Sequence, residues 1–268
     1  MTPSSLGTSG VRSPQRARIT ERTFRQDRWW LYPAVTFTVF LAFVVYATWR
    51  AFSGHDYYSA PYLSPFYSPC LTSSCLEGSS DFGQPFGWWQ LSPALLILIF
   101  PLGFRMSCYY YRKAYYRAFW LSPPACAVAE PHTSYSGERR FPLVLNNVHR
   151  YFFYAAVLVA LVLSYDAVLG FRDEDGDWGH MGLGTLVLLA NVLLIWAYTL
   201  GCHSCRHAVG GRLRHFSKHP VRYRAWTLVS KLNASHARYA WLSLFSVALA
   251  DLYVYLLATG AISDPRFF

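Results

Sequence analysis

Residues 181–201 read MGLGTLVLLANVLLIWAYTLG and run directly into Cys202-His203-Ser204-Cys205-Arg206-His207. As a helix, these uncharged residues would be about 32 Å long, enough to cross the roughly 30 Å hydrocarbon core of a bilayer. A segment this apolar, ending in a dense group of thiols and imidazoles, sets the two questions of this sequence. One is what kind of membrane protein it is, and the other is what the soft donors at the end of the span do.

Working outward, four more stretches are long and apolar enough to cross. The spans fall at about 29–50, 88–112, 150–170, 181–203 and 236–260. Composition agrees, with 53% apolar and only 14% charged residues, where a soluble domain is about one quarter charged. The expected fold is an all-α integral membrane protein, a bundle of five transmembrane helices. It divides into a basic tail at 1–28, one transmembrane domain at 29–262 and a short tail at 263–268. The first span follows a long polar tail and has no small-residue cleavage site, so it reads as an anchor and not a signal peptide. No internal repeat is evident.

The formal net charge is +10, a balance that in a soluble protein would suggest nucleic acid as a partner. Here the positive charges lie between apolar segments, and there is no RNA-binding motif or P-loop. Nucleic acid is therefore set aside. Six basic residues lie in 1–28, seven in 105–150 and eight in 206–238, and only Arg50, Arg172 and Arg266 lie elsewhere. The positive-inside rule puts the N-terminus in the cytoplasm and the C-terminus outside. The opposite loops fit, because 51–87 contains no Lys or Arg and 172–177 is acidic. Cys70 and Cys75 fall in the first of these loops, where an oxidising compartment would permit a disulfide; two free thiols are the alternative. The inner loop at 115–142, with Pro123-Pro124 and Gly137-Glu138-Arg139-Arg140, looks like a docking surface for a soluble partner.

On this topology the soft donors converge. Cys108 ends the second span, His149 starts the third, Cys202 and Cys205 follow the fourth, and His236 starts the fifth. A single Cys or His at such a position is most often an ordinary side chain, so the convergence carries the argument. Three centres are compatible with these residue types. Cys202 and Cys205 have zinc spacing, though zinc has no evident task between membrane helices. A haem b could use His149 and His236 as axial ligands, but would leave the thiols without a role. A Rieske-type [2Fe–2S] centre uses both kinds of donor, two thiolates on one iron and two imidazoles on the other. Its oxidised core charge is cancelled by two thiolates, which suits a low-dielectric medium better than four thiolates do. The expected ligands are His149 and His236 with two of Cys108, Cys202 and Cys205. His203 and His207 lie in an exposed basic stretch and are weaker candidates.

Four pieces carry a resemblance to a known family. They are the run from Cys108 to Arg117, CYYYRKAYYR; Asn146-Asn147-Val148-His149-Arg150-Tyr151; Gly201 to His207 with Gly210-Gly211; and Asp251-Leu252-Tyr253. Together they resemble the membrane-anchor subunit of an actinobacterial succinate dehydrogenase, respiratory complex II of the mycobacterial type F. The resemblance implies an iron–sulfur subunit and a succinate-oxidising flavoprotein as partners on the cytoplasmic side of the cell membrane. It also implies quinone as electron acceptor, menaquinone in these bacteria, and a haem-free anchor with a Rieske-type cluster. Succinate oxidation would then belong to a partner.

Proximity to the inner donors makes Tyr111, Arg112, His207 and Arg238 the quinone or proton-relay candidates. Asp166 and Asp251, two acids inside spans, are functional candidates by position. Their distance from the inner cluster favours a structural role. A transporter or purely structural membrane protein is the reading from another class. The lack of paired, broken repeats counts against transport.

Overall fold

The computed structural model describes residues 25–80, 82–131, 144 and 148–268. The upstream part of the basic tail and the Gly137–Arg140 stretch of the expected docking loop lie outside the described residues, as do Asn146 and Asn147. Among the described residues four helices are long and apolar enough to cross a membrane: α1 (Leu31–Ser53), α5 (His149–Leu169), α6 (Leu183–Leu200) and α9 (His236–Ala258). In hydrocarbon every backbone N–H and C=O must find a partner within the chain, and a helix satisfies them locally. That requirement outweighs the weak helix propensity of the β-branched and aromatic residues crowding α1. Gly54 ends α1 at φ +68°, a left-handed conformation that glycine adopts without Cβ strain.

The expected span at 88–112 is not one helix. Residues 88–92 are non-helical, and the rest divides into α2 (Pro93–Ile97), α3 (Ile99–Ser107) and α4 (Tyr109–Ala118). Pro101 has no N–H to offer the Ile97 carbonyl, so the ladder is interrupted between α2 and α3. Hydrogen bonds from Leu98 N to Ala94 O (2.8 Å) and from Leu102 N to Leu98 O (2.9 Å) carry the chain across. The second break is sharper, since Cys108 is extended at φ −69° and ψ 133°.

Packing runs from α9 to α6, from α6 to α5 and from α5 to α3, with α1 lying against α2, α4 and α9. Small residues let the backbones approach, as expected where lipid supplies no hydrophobic drive. Ala156, Ala160, Ala240, Ser243 and Ala250 are all buried between helices. At Gly103 an added Cβ would run into the Phe152 ring, so α3 meets α5 closely only because that position has no side chain. Many large apolar residues face outward, including Val45, Phe52, Leu158 and Leu193, as a lipid-exposed surface requires.

The segment between α1 and α2 folds onto one end of the bundle. It holds a two-stranded hairpin, β1 (Tyr58–Ser59) and β2 (Tyr62–Leu63), with Tyr58 opposite Leu63. Cys70 and Cys75 are joined by a disulfide. Tyr57 stacks on Tyr67 with ring centres 3.9 Å apart. The C-terminal tail also packs: Met181 N donates to Phe268 O (3.0 Å) and Phe267 N to Met181 O (2.9 Å). Asp264 accepts from Tyr62 Oη (2.7 Å), Tyr253 Oη (2.6 Å) and Gly184 N (2.9 Å). At the other end, α7 (His203–Gly210), a 3-10 turn (Phe216–Lys218) and α8 (Pro220–Ala234) precede α9.

Candidate metal centre and the cavity beside it

Four of the five predicted donors stand where helices break or begin. Cys108 is the extended residue between α3 and α4. His149 opens α5. Cys202 is extended at φ −67° and ψ 145° and caps α7, its thiol accepting the Ser204 N–H at 3.4 Å. His236 opens α9 directly after Ser235 interrupts α8, and Asn233 Nδ2 ties that junction to the Gly201 carbonyl at 2.7 Å. A junction turns its side chain inward without distorting a helix, and four junctions bring the donors together in two pairs.

The contacts pair unlike donors. His149 Nε2 lies 3.0 Å from Cys202 Sγ, and Cys108 Sγ lies 3.8 Å from His236 Nε2. Cys108, Cys202 and His236 are buried. Ser107 Oγ holds His149 Nδ1 at 2.9 Å, which orients that ring. The Phe104 ring stacks on His149 with centres 4.8 Å apart and planes 7° off parallel. Tyr198 does the same for His236 at 4.9 Å and 8°. His236 Nδ1 and the Tyr198 hydroxyl are buried without a hydrogen-bond partner among the described residues. Buried polar atoms are rarely left so. Cys205 is buried in the same core, but it makes no hydrogen bond to either imidazole among the described residues. Burial pushes its thiol pKa up.

The donors fit a [2Fe–2S] centre in kind and number, two thiols and two imidazoles. No three His, Cys, Asp or Glu side chains among the described residues converge as a single-ion site would need. Binding would replace both thiol–imidazole contacts, because a Rieske-type centre puts like donors on each iron.

The quinone candidates do not assemble. Tyr111 is buried, and its hydroxyl donates to the Ala240 carbonyl. Arg112 lies 5.4 Å over the Tyr109 ring. His207 is exposed and meets Arg150 Nη2 at 2.6 Å, and Arg238 is exposed.

The residue that sequence reasoning missed is Arg105. Read along the chain, it only interrupts the second span; in the fold its guanidinium turns into the bundle. It bonds to the Tyr111 hydroxyl, to Ser243 Oγ (3.2 Å) and to the carbonyls of Ala240 (3.4 Å) and Ser243 (3.3 Å). It also lies 4.9 Å over the Tyr198 ring. The available signal was an ionisable residue at membrane depth, which is costly and rarely idle.

Arg105, Phe104 and Tyr198 line the end nearest the donors of an apolar cavity of about 330 Å³. Val44, Phe52 and Leu102 also line it and are exposed, so it opens on the lipid-facing side. Phe104 and Tyr198 separate it from the two imidazoles by one ring each.

Asp251 and Asp166 serve the opposite end. Asp251 pairs with Arg50 Nε at 2.9 Å, with both side chains fully buried, and accepts from Tyr46 Oη (2.6 Å) and Ser64 Oγ. Asp166 accepts from Ser68 Oγ. Both acids thus tie helices to the segment that follows α1.

Comparison with known proteins agrees with this architecture. No curated protein matches the chain. It is similar to a chain of the solved Mycobacterium smegmatis Sdh1 complex in the apo form, with 56% identity over 97% of this chain and 99% of that one and a TM-score of 0.84. Residues 31–260 match the family described as actinobacterial succinate dehydrogenase subunit SdhC. The chain therefore belongs to that family and is a membrane-anchor subunit of a succinate dehydrogenase complex.

Proposed function

We propose that this anchor carries electrons from a docked iron–sulfur subunit to a quinone, menaquinone, through a Rieske-type [2Fe–2S] centre. His149, His236, Cys108 and Cys202 would hold the centre. The observation that carries this reading is the meeting of two thiols with two imidazoles in two pairs, drawn from four helix junctions, with Cys108, Cys202 and His236 buried. Cys108 and Cys202 are favoured over Cys205 because they already touch the imidazoles. When bound, the centre supplies one-electron transfer, with imidazole ligation raising its potential above that of an all-cysteine cluster.

The protein's own residues supply the rest. Ser107 fixes the His149 ring, and Phe104 and Tyr198 shield the imidazoles from the cavity. The cavity is large and apolar enough for a lipid-soluble quinone, and at its inner end Arg105 can donate to a carbonyl. This moves the quinone site inward from Arg112, His207 and Arg238 to the Arg105 side of Tyr111. A haem b held by His149 and His236 would leave the Cys108 and Cys202 thiols, which touch those imidazoles, without a role.

The charge distribution supports an orientation with the N-terminus and the donor cluster on the cytoplasmic side of the cell membrane and the C-terminus outside. In that arrangement α2 to α4 make the fifth crossing in three pieces. The flavoprotein and iron–sulfur subunits dock on the inner face.

The test is a His149→Ala, His236→Ala double variant of the intact complex. It should lose quinone reduction and one [2Fe–2S] electron paramagnetic resonance signal, while succinate oxidation with an artificial acceptor persists. Retention of all [2Fe–2S] signals would exclude the centre from this chain.

A further inference from the structure

Arg105 is a half-buried cation with no carboxylate paired to it among the described residues. Its hydrogen-bond partners are the Tyr111 and Ser243 hydroxyls and the Ala240 and Ser243 carbonyls, all neutral. No Asp or Glu among the described residues pairs with it. A charge at membrane depth is normally matched by an opposite one, because Coulomb interactions are strong where the dielectric is low.

What lies near Arg105 explains the omission. The Tyr198 ring that meets its guanidinium at 4.9 Å also stacks on His236 at 4.9 Å. The guanidinium is therefore no farther from the imidazole than those two steps. Cys108 itself is joined to the same helix end, its N–H donating to the Arg105 carbonyl at 3.1 Å.

Consider the charge at the donor cluster, taking the centre proposed above, on which this inference rests. With two thiolates and two neutral imidazoles, the oxidised set has no net charge. One electron on it would make it negative by one unit until it passed to the quinone, whose reduction to quinol takes two such electrons and two protons. In a low-dielectric site that added charge is opposed by desolvation, unless a fixed positive charge is already there.

We propose that Arg105 is the resident counter-charge of the reduced centre, held by neutral partners so that its charge stays available and raises the reduction potential. A carboxylate beside it would cancel that effect, and none of the described Asp or Glu residues pairs with it. The guanidinium is suited to the task because it does not deprotonate under protein conditions. Arg105 thus acts through the field it exerts and is not a ligand.

The experiment is a redox titration of the intact complex, following by electron paramagnetic resonance the [2Fe–2S] signal that is absent from the His149→Ala, His236→Ala variant. Arg105→Gln removes the charge, Arg105→Lys keeps it, and Ser243→Asp introduces a carboxylate beside an unchanged Arg105. Arg105→Gln and Ser243→Asp should each make reduction about tenfold less favourable, about 59 mV for a one-electron couple. Arg105→Lys should stay close to the wild-type potential. Should Arg105→Gln fail to assemble, Ser243→Asp and Arg105→Lys still decide the matter.

Unchanged potentials with the signal present would overturn the role of Arg105 and leave the centre standing. If no [2Fe–2S] signal depends on His149 and His236, the centre itself fails and Arg105's role with it. Reading a potential instead of turnover keeps any effect of Arg105 on quinone binding out of the result.

Discussion

Arg50 and Arg105 are both arginines turned into the helix bundle, one at each end, and they are handled in opposite ways. Arg50 is paired with Asp251 and also donates to Ser53 Oγ (3.1 Å) and to the carbonyls of His55 (3.3 Å) and Asp56 (3.1 Å). Tyr46 and Ser64 satisfy the carboxylate. Every strong group there has its partner, and the result is a joint between α1, α9 and the loop that follows α1. Arg105 has neutral partners only, and nearby His236 Nδ1 and Tyr198 Oη lack any among the described residues. Saturation marks a structural site, and groups left open mark one that awaits something else.

The largest effect should come from unbalancing the saturated end. Asp251→Ala leaves Arg50 buried and unpaired, which should cost about 3–5 kcal/mol, read as a lower melting temperature of the solubilised complex. Arg50→Met with Asp251→Leu should recover most of that loss, since a packed apolar pair is often no worse than a buried ion pair. If the double variant is as damaged as the single, the joint depends on the hydrogen bonds to Ser53, His55 and Asp56 more than on the ion pair.

The inner end should respond to its occupant. Removing iron with a chelator under reducing conditions should lower the melting temperature of the wild-type complex, because a ligand bound only to the folded state stabilises it. In Cys202→Ala that shift should shrink or vanish. A shift of equal size in the variant would mean that the iron sensed by melting belongs to a partner.

Ser107→Ala tests the hydrogen bond from Ser107 that orients the His149 ring. Its direct effect on folding should be about 1 kcal/mol. Its effect on iron retention should be larger, about 10–100-fold, as for other groups that position metal ligands. Iron content after dialysis against a chelator measures this.

The smallest effect belongs to the acidic loop beyond α5. The Asp173 carboxyl is held below its ordinary range first by the Asp177 N–H, helped by His180 and by the Asp175 and Gly176 N–H groups. Its stabilising contribution is present above the unfolded value of 3.8 and is lost as pH falls below it through the depressed folded value. Amide exchange at Asp175 and Asp177, corrected for its intrinsic pH dependence, should quicken over that fall. Asp173→Ala should show quick exchange at both ends of it.

Much of this architecture is written along the chain. Hydropathy and charge are local properties that add up over a window, so the long apolar segments stand out from sequence, and α1, α5, α6 and α9 begin and end within a few residues of the expected spans. The Cys and His residues are legible as one level because helix rise converts position into depth. Other features depend on which side chains meet across helices, and no window contains them. Pro101 and the extended Cys108 divide the second span. Arg105 reads in sequence as an interruption, and its contacts with α9, through Ala240 and Ser243, turn its guanidinium into the bundle. Tyr111 belongs beside it, while Arg112, His207 and Arg238 do not. The sequence by itself determined that this protein lies in a membrane and gathers thiols and imidazoles at one depth. Only the tertiary structure decided which thiol faces which imidazole and which arginine is left without an acid, because those choices rest on contacts between residues far apart in the chain.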